Sequence, residues 1–127
     1  MGMLDNFRAF DFSEGVPQIS VTRNGLTFNQ GVVKKLGCAP RARLLIDDEN
    51  QQIALQICAE NAPNSAEFYK PKKSGAYSVR WNGRDLLNTI SDLMGWDLEK
   101  HGYRTNGTFL RDEQAMLFDL KKATELS

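Results

Sequence analysis

The sequence predicts an α+β domain: two βαββ-type repeats packed as an intramolecular pseudo-dimer around a mostly antiparallel sheet. Three observations carry this reading. The segment Ile19-Ser-Val-Thr-Arg-Asn-Gly25 lines up with Tyr77-Ser-Val-Arg-Trp-Asn-Gly83, 77 − 19 = 58 residues later. The same offset sets Phe28 on Leu86, Val32 on Ile90, and Leu36-Gly37 on Met94-Gly95. Beyond an insertion in the second copy, Trp96 to His101, Asp47-Asp48-Glu49 corresponds to Arg111-Asp112-Glu113. Ile53 to Ile57 then corresponds to Met116 to Leu120. A single βαββ unit of roughly 40 residues buries too little apolar surface to stand alone, so the two copies must pack on each other.

Each copy reads as strand, helix and hairpin. Ile19, Val21 and Arg23 begin an alternating strand that stops at the turn dipeptide Asn24-Gly25. Asn29 is placed to cap a short helix with Val32, Val33 and Leu36 on its apolar face, and Gly37 to end it. Pro40 bars continuation. Arg43 to Ile46 and Ile53 to Ile57 then form a hairpin around a polar turn, with Ile53, Leu55 and Ile57 on the buried face. In the second copy Leu86, Leu87, Ile90, Leu93 and Met94 follow helical spacing. Asn82 or Asp85 is the expected cap and Gly95 the stop. Tyr103 to Leu110 and Ala115 to Leu120 close the second hairpin.

The expected organisation is one domain: an N-terminal arm 1–18, repeats 19–58 and 77–122, and a connector 59–76. The connector is polar and holds Pro63 and Pro71, with Phe68 and Tyr69 pinning it to the body. In the arm, Phe7, Phe10 and Phe12 are expected to cover the open side of a sheet.

The chain has 127 residues, with 16 basic side chains balanced by 16 acidic ones. Balance argues against a protein that coats nucleic acid by charge alone. No apolar run reaches about 18 residues, which excludes a membrane-spanning helix. Two cysteines are too few for a disulfide scaffold, and the first twelve residues lack the pattern of a secretion signal. The expected location is the cytoplasm, with reduced thiols.

The run Val21-Thr-Arg-Asn-Gly-Leu-Thr-Phe28, followed by Val32-Val-Lys-Lys-Leu-Gly37 and the Arg43 to Ile57 hairpin, resembles the AbrB/MazE-type swapped-hairpin DNA-binding family. The resemblance spans residues 19–58, with a diverged echo at 77–120. Where family members usually place a proline at the helix start, this chain has Asn29-Gln30. The resemblance implies a small bacterial or phage-type regulator, or an antitoxin, that binds double-stranded DNA through basic residues of the first strand and its loops. The matching positions are Arg23 and, in the second copy, Arg80 and Arg84. Arginine suits phosphate oxygens and guanine edges because its planar fork donates two hydrogen bonds.

Lys34, Lys35, Arg41, Arg43, Lys72 and Lys73 are the candidates for positioning contacts to phosphate. The same side chains also read as solvated surface charge. The other functional reading is a protein-interaction module, an antitoxin-like or phage accessory protein without nucleic-acid binding, and for it an exposed Trp81 or Trp96 would be the signature. The oligomeric state stays open between a monomer with pseudo-twofold symmetry and a homodimer. Catalysis finds no constellation to stand on: His101 is the single histidine, and Cys38 and Cys58 lie 58 − 38 = 20 residues apart with no CxxC. The expectation is no enzyme, no cofactor and no metal.

Overall fold

A computed structural model of the chain describes residues 2–5, 7 and 15–126. Alternation shapes the first hairpin. In β1 (Gln18–Thr22) Ile19 and Val21 are buried, and in β2 (Gly25–Phe28) so are Leu26 and Phe28. Helix α1 (Gln30–Lys35) follows at once because Asn29 caps it, its Oδ1 accepting from the Val32 amide. The same Oδ1 accepts from the Gln18 amide at 3.0 Å, and Nδ2 donates to the Val16 carbonyl at 2.8 Å. Asn29 therefore joins helix start, first strand and the chain entering it, where a proline could join nothing.

Strands β3 (Arg41–Asp47) and β4 (Gln52–Ile57) make the first long hairpin. The connector adds a two-residue strand, β5 (Ala66–Glu67), on the outer edge of β3. Phe68 and Tyr69 do pin it: their amides donate to the Pro40 and Ala39 carbonyls, and Phe68 is buried. Then come β6 (Val79–Trp81) and α2 (Arg84–Met94), which buries Leu87 and Ile90. The start of α2 corrects the sequence expectation: neither Asn82 nor Asp85 caps it, because Gly83 occupies the cap position with no side-chain bond. Gly95 ends it in the left-handed region, as Gly37 does after α1, both at φ 68°. The second hairpin is β7 (Gly102–Leu110) with β8 (Ala115–Asp119). A single 3-10 turn over 120–122 leads to β9 (Thr124–Leu126), which pairs with β7 and was not foreseen.

The result is a mixed helix and antiparallel-sheet fold, strand order β5-β3-β4-β8-β7-β1-β2-β6 with β9 beside β7. The two hairpins meet through β4 and β8. Ala54 lies opposite Leu117, flanked by Ile53 opposite Phe118 and Leu55 opposite Met116. Beyond the ladder, the Ile57 amide donates to the Gln114 carbonyl and the Leu120 amide to the Gln51 carbonyl. The turns match with a shift of one residue from the sequence alignment, since Gln51 and Gln114 are the turn residues with positive φ, 52° and 49°.

The ends of the sheet curl toward each other. The Trp81 indole on β6 donates to the Glu67 carbonyl on β5, and the rings of Phe28, Phe68 and Trp81 meet edge to face at 5.2–6.0 Å. Inside lie Phe28, Phe118, Ile53, Leu55, Met116 and Ile90, all essentially inaccessible. The phenylalanines of the arm do not all serve this core: Phe7 is 73% exposed, and Phe10 and Phe12 lie outside the described residues. Cys58, directly after β4, is half-buried.

Candidate nucleic-acid interface

The alternation that buries Ile19, Val21, Leu26, Phe28 and Val79 turns their neighbours outward. On the outer face of this part of the sheet stand Gln18, Ser20 and Thr22 of β1, Thr27 of β2 and Arg80 of β6. The pairing of β1 with β7 adds Arg104 and Asn106, and β9 adds Thr124. The register draws a lateral row across five strands: Arg80, Thr27, Ser20, Arg104, Thr124. Arg80 and Arg104 sit three strand spacings apart, roughly 14 Å. Both are exposed, and Arg80 Nε donates to Thr27 Oγ1 at 3.4 Å. Beside the row, Gln18 Nε2 donates to Asn106 Oδ1 at 2.8 Å. Among the described residues the row itself holds no carboxylate: Glu125 pairs with Tyr103 and so points to the other side, while Asp119 of β8 borders the face beside Asn106 and Thr108.

Gly25 leaves room for the Arg80 stem to pass close to β2. It has φ 146°, and a Cβ there would come within 2.8 Å of Arg80 Cγ and 2.9 Å of the Trp81 carbonyl oxygen.

Arg23 and Arg84 gather at one end of this face. They line an open cleft of about 560 Å³ with Asn82, Asn88, Trp96 and Glu99. Arg23 Nη1 lies 3.7 Å from Glu99 Oε2, an exposed pair worth little. Trp96 is no exposed patch: it is half-buried and stacks on Tyr103 with centroids 4.0 Å apart. Trp81 is half-buried in the aromatic seam.

The remaining predicted residues fall elsewhere. Lys34 Nζ sits 4.7 Å above the Tyr77 ring, which stacks on Tyr69. Burial, with Tyr77 adding to it, pushes the Tyr69 hydroxyl pKa up. Lys35 shares the last turn of α1, where both charges suit the helix end. Lys72 Nζ donates to the Ser78 carbonyl at 2.6 Å, and Lys73 is exposed beside it. Arg41 donates to Ser65, to Oγ at 2.9 Å and to its carbonyl at 3.1 Å. Arg43 gives two hydrogen bonds to Gln56 Oε1, at 3.0 and 2.8 Å. Both arginines are on β3, five places from β2 in the strand order, so they do not join the row.

Sequence reasoning missed Arg104. The signal was present in the alternation Tyr103, Arg104, Thr105, Asn106, with Thr105 buried, but only the β1–β7 pairing sets it beside Ser20.

His101 Nδ1 lies 3.8 Å from Glu125 Oε2. Among the described residues no group of three or more His, Cys, Asp or Glu side chains is placed to hold a metal ion. No helix of the described chain is long and apolar enough to cross a membrane. No protein-family model, no curated protein and no solved structure matches this chain.

Proposed function

We propose that this chain is a non-catalytic, cytoplasmic DNA-binding protein of the AbrB/MazE-like regulator kind, using the outer face of β6, β2, β1 and β7. One observation carries the reading: two exposed arginines, Arg80 and Arg104, bracket the hydroxyl side chains of Thr27 and Ser20 in a row that holds no carboxylate among the described residues. Serine and threonine hydroxyls and arginine forks are the groups that hold phosphate oxygens, and a twisted sheet surface lies along a duplex groove. Arg23 and Arg84 extend the contact from one end. Neutral net charge is compatible with this, because the acids of Asp47 to Glu49 and Asp112-Glu113 lie at the hairpin turns.

The proposal includes descent of the two halves from one repeat. Supporting it, the helix-ending bonds Cys38 N to Val33 O and Trp96 N to Ser91 O share the offset of 58, as do Gly37 and Gly95. The reciprocal bonds Ile57 N to Gln114 O and Leu120 N to Gln51 O have the form that a twofold axis between Ala54 and Leu117 requires. Symmetry stops at the sheet ends, where β6 pairs with β2 and β5 fills the edge of β3.

The test is a fluorescence-anisotropy titration of a mixed-sequence duplex at about 50 mM and about 200 mM salt. Binding that strengthens as salt is removed is the expected result. The Arg80→Ala/Arg104→Ala double variant should weaken it by about tenfold or more. No binding at low salt would overturn the proposal, and would favour the protein-interaction reading, for which the exposed Leu45 and Ile46 speak.

A further inference from the structure

Independently of any nucleic-acid binding, we propose that two copies of this chain pair edge to edge through β3, in antiparallel register centred on Leu45.

In an antiparallel ladder the amide and carbonyl of one residue point to the same side, and the side alternates along the strand. The Arg41 carbonyl accepts from the Cys58 amide on the β4 side, while the Pro40 carbonyl accepts from the Phe68 amide on the other. Arg41, Arg43, Leu45 and Asp47 therefore bond toward β4, and Ala42, Leu44 and Ile46 toward the outer edge. There β5 pairs only with Arg41 and Ala42. The amides and carbonyls of Leu44 and Ile46 are thus four backbone groups on an open edge, and no described residue bonds to them on that side. The equivalent edge of β7 is occupied, by β1 over residues 103–106 and by the Pro17 carbonyl, which accepts from Gly107.

This edge also exposes unusual side chains for its position: Leu45 is 41% and Ile46 37% accessible. An open apolar edge is a template for another strand unless something guards it. The sequence of β3 fits its own reverse. With Leu45 opposite Leu45 of the second copy, Leu44 meets Ile46 on the inner face, and those two pairs use all four open backbone groups. On the outer face Arg43 meets Asp47 of the second copy, twice, in the non-hydrogen-bonded positions where side chains stand closest. Charge, hydropathy and hydrogen bonding close together in this register.

Sedimentation velocity of the nucleic-acid-free chain across the micromolar range tests the pairing. The expected result is a reversible dimer. Ile46→Pro removes an edge amide that the chain's own ladder does not use, and should raise the dimer dissociation constant by about tenfold or more. Asp47→Arg should do the same by setting arginine against Arg43, and the exchanged variant Arg43→Asp/Asp47→Arg should restore the dimer. Circular dichroism reports whether each variant is folded. A chain that is monomeric throughout, or a dimer insensitive to both Ile46→Pro and Asp47→Arg, overturns the proposal.

Discussion

Replacing Asn29 by alanine should be unusually costly for a half-buried position, because one side chain makes three hydrogen bonds. Oδ1 accepts from the Val32 and Gln18 amides at 3.2 and 3.0 Å, and Nδ2 donates to the Val16 carbonyl at 2.8 Å. Loss of a helix N-cap costs about 1 kcal/mol. Each further bond contributes about 1 kcal/mol, discounted because water reaches Val16 and part of the site. The sum is about 2–3 kcal/mol, or a fall of about 7–11 °C in Tm for a chain of this length. Urea unfolding followed by tryptophan fluorescence suits the measurement, since Trp81 and Trp96 are both half-buried. The urea midpoint should fall with the slope unchanged. Asn29→Asp is the discriminating control: it keeps both accepted bonds beside a favourable helix end and gives up only the donation to Val16. It should cost less than about 1 kcal/mol. An alanine variant within about 0.5 kcal/mol of the parent would refute the reasoning. So would an aspartate variant as damaging as alanine.

Three other outcomes follow from the same geometry. Gly25→Ala should lower both stability and duplex affinity, because it strains the backbone and displaces the Arg80 stem; unchanged anisotropy would show that Arg80 needs no such seat. Phe28→Ala should cost about 3–5 kcal/mol in urea unfolding, since Phe28 is fully buried among Phe68, Trp81 and Phe118. Asp47 is held below 3.8 chiefly by the Asn50 side-chain bond, and Asp119 chiefly by its hydrogen bond from Lys121. Their folded values are the lower ones, so the stability they supply is complete above the unfolded value and is lost as pH falls through the folded values. An Asp47→Asn/Asp119→Asn variant should flatten the acid slope of the unfolding free energy; a slope identical to the parent's would contradict it.

Local signals made most elements readable. Leu87 and Ile90 mark the buried side of α2, Gly37 and Gly95 the ends of α1 and α2, and Ile53 and Leu55 the inner face of β4. What stayed hidden depended on partners far along the chain. Arg104 becomes part of a face only when β7 docks beside β1, across 104 − 20 = 84 residues from Ser20. The short strands β5 and β9 owe their form to the edges they join, with little pattern of their own. The cap of α2 misled because Asn82 and Asp85 both have suitable side chains, yet the chain enters the helix through Gly83. Arg41 and Arg43 are ordinary basic residues in sequence; the fold commits them to Ser65 and Gln56.

The proposed binding face is most directly tested by an amide-resolved NMR titration of the full chain with duplex DNA at low salt. The largest shifts are predicted at Ser20, Thr27, Arg80 and Arg104, with smaller ones at Arg23 and Arg84. Shifts confined to Leu44 through Asp47, or no shifts at all, would contradict the assignment of this face to DNA.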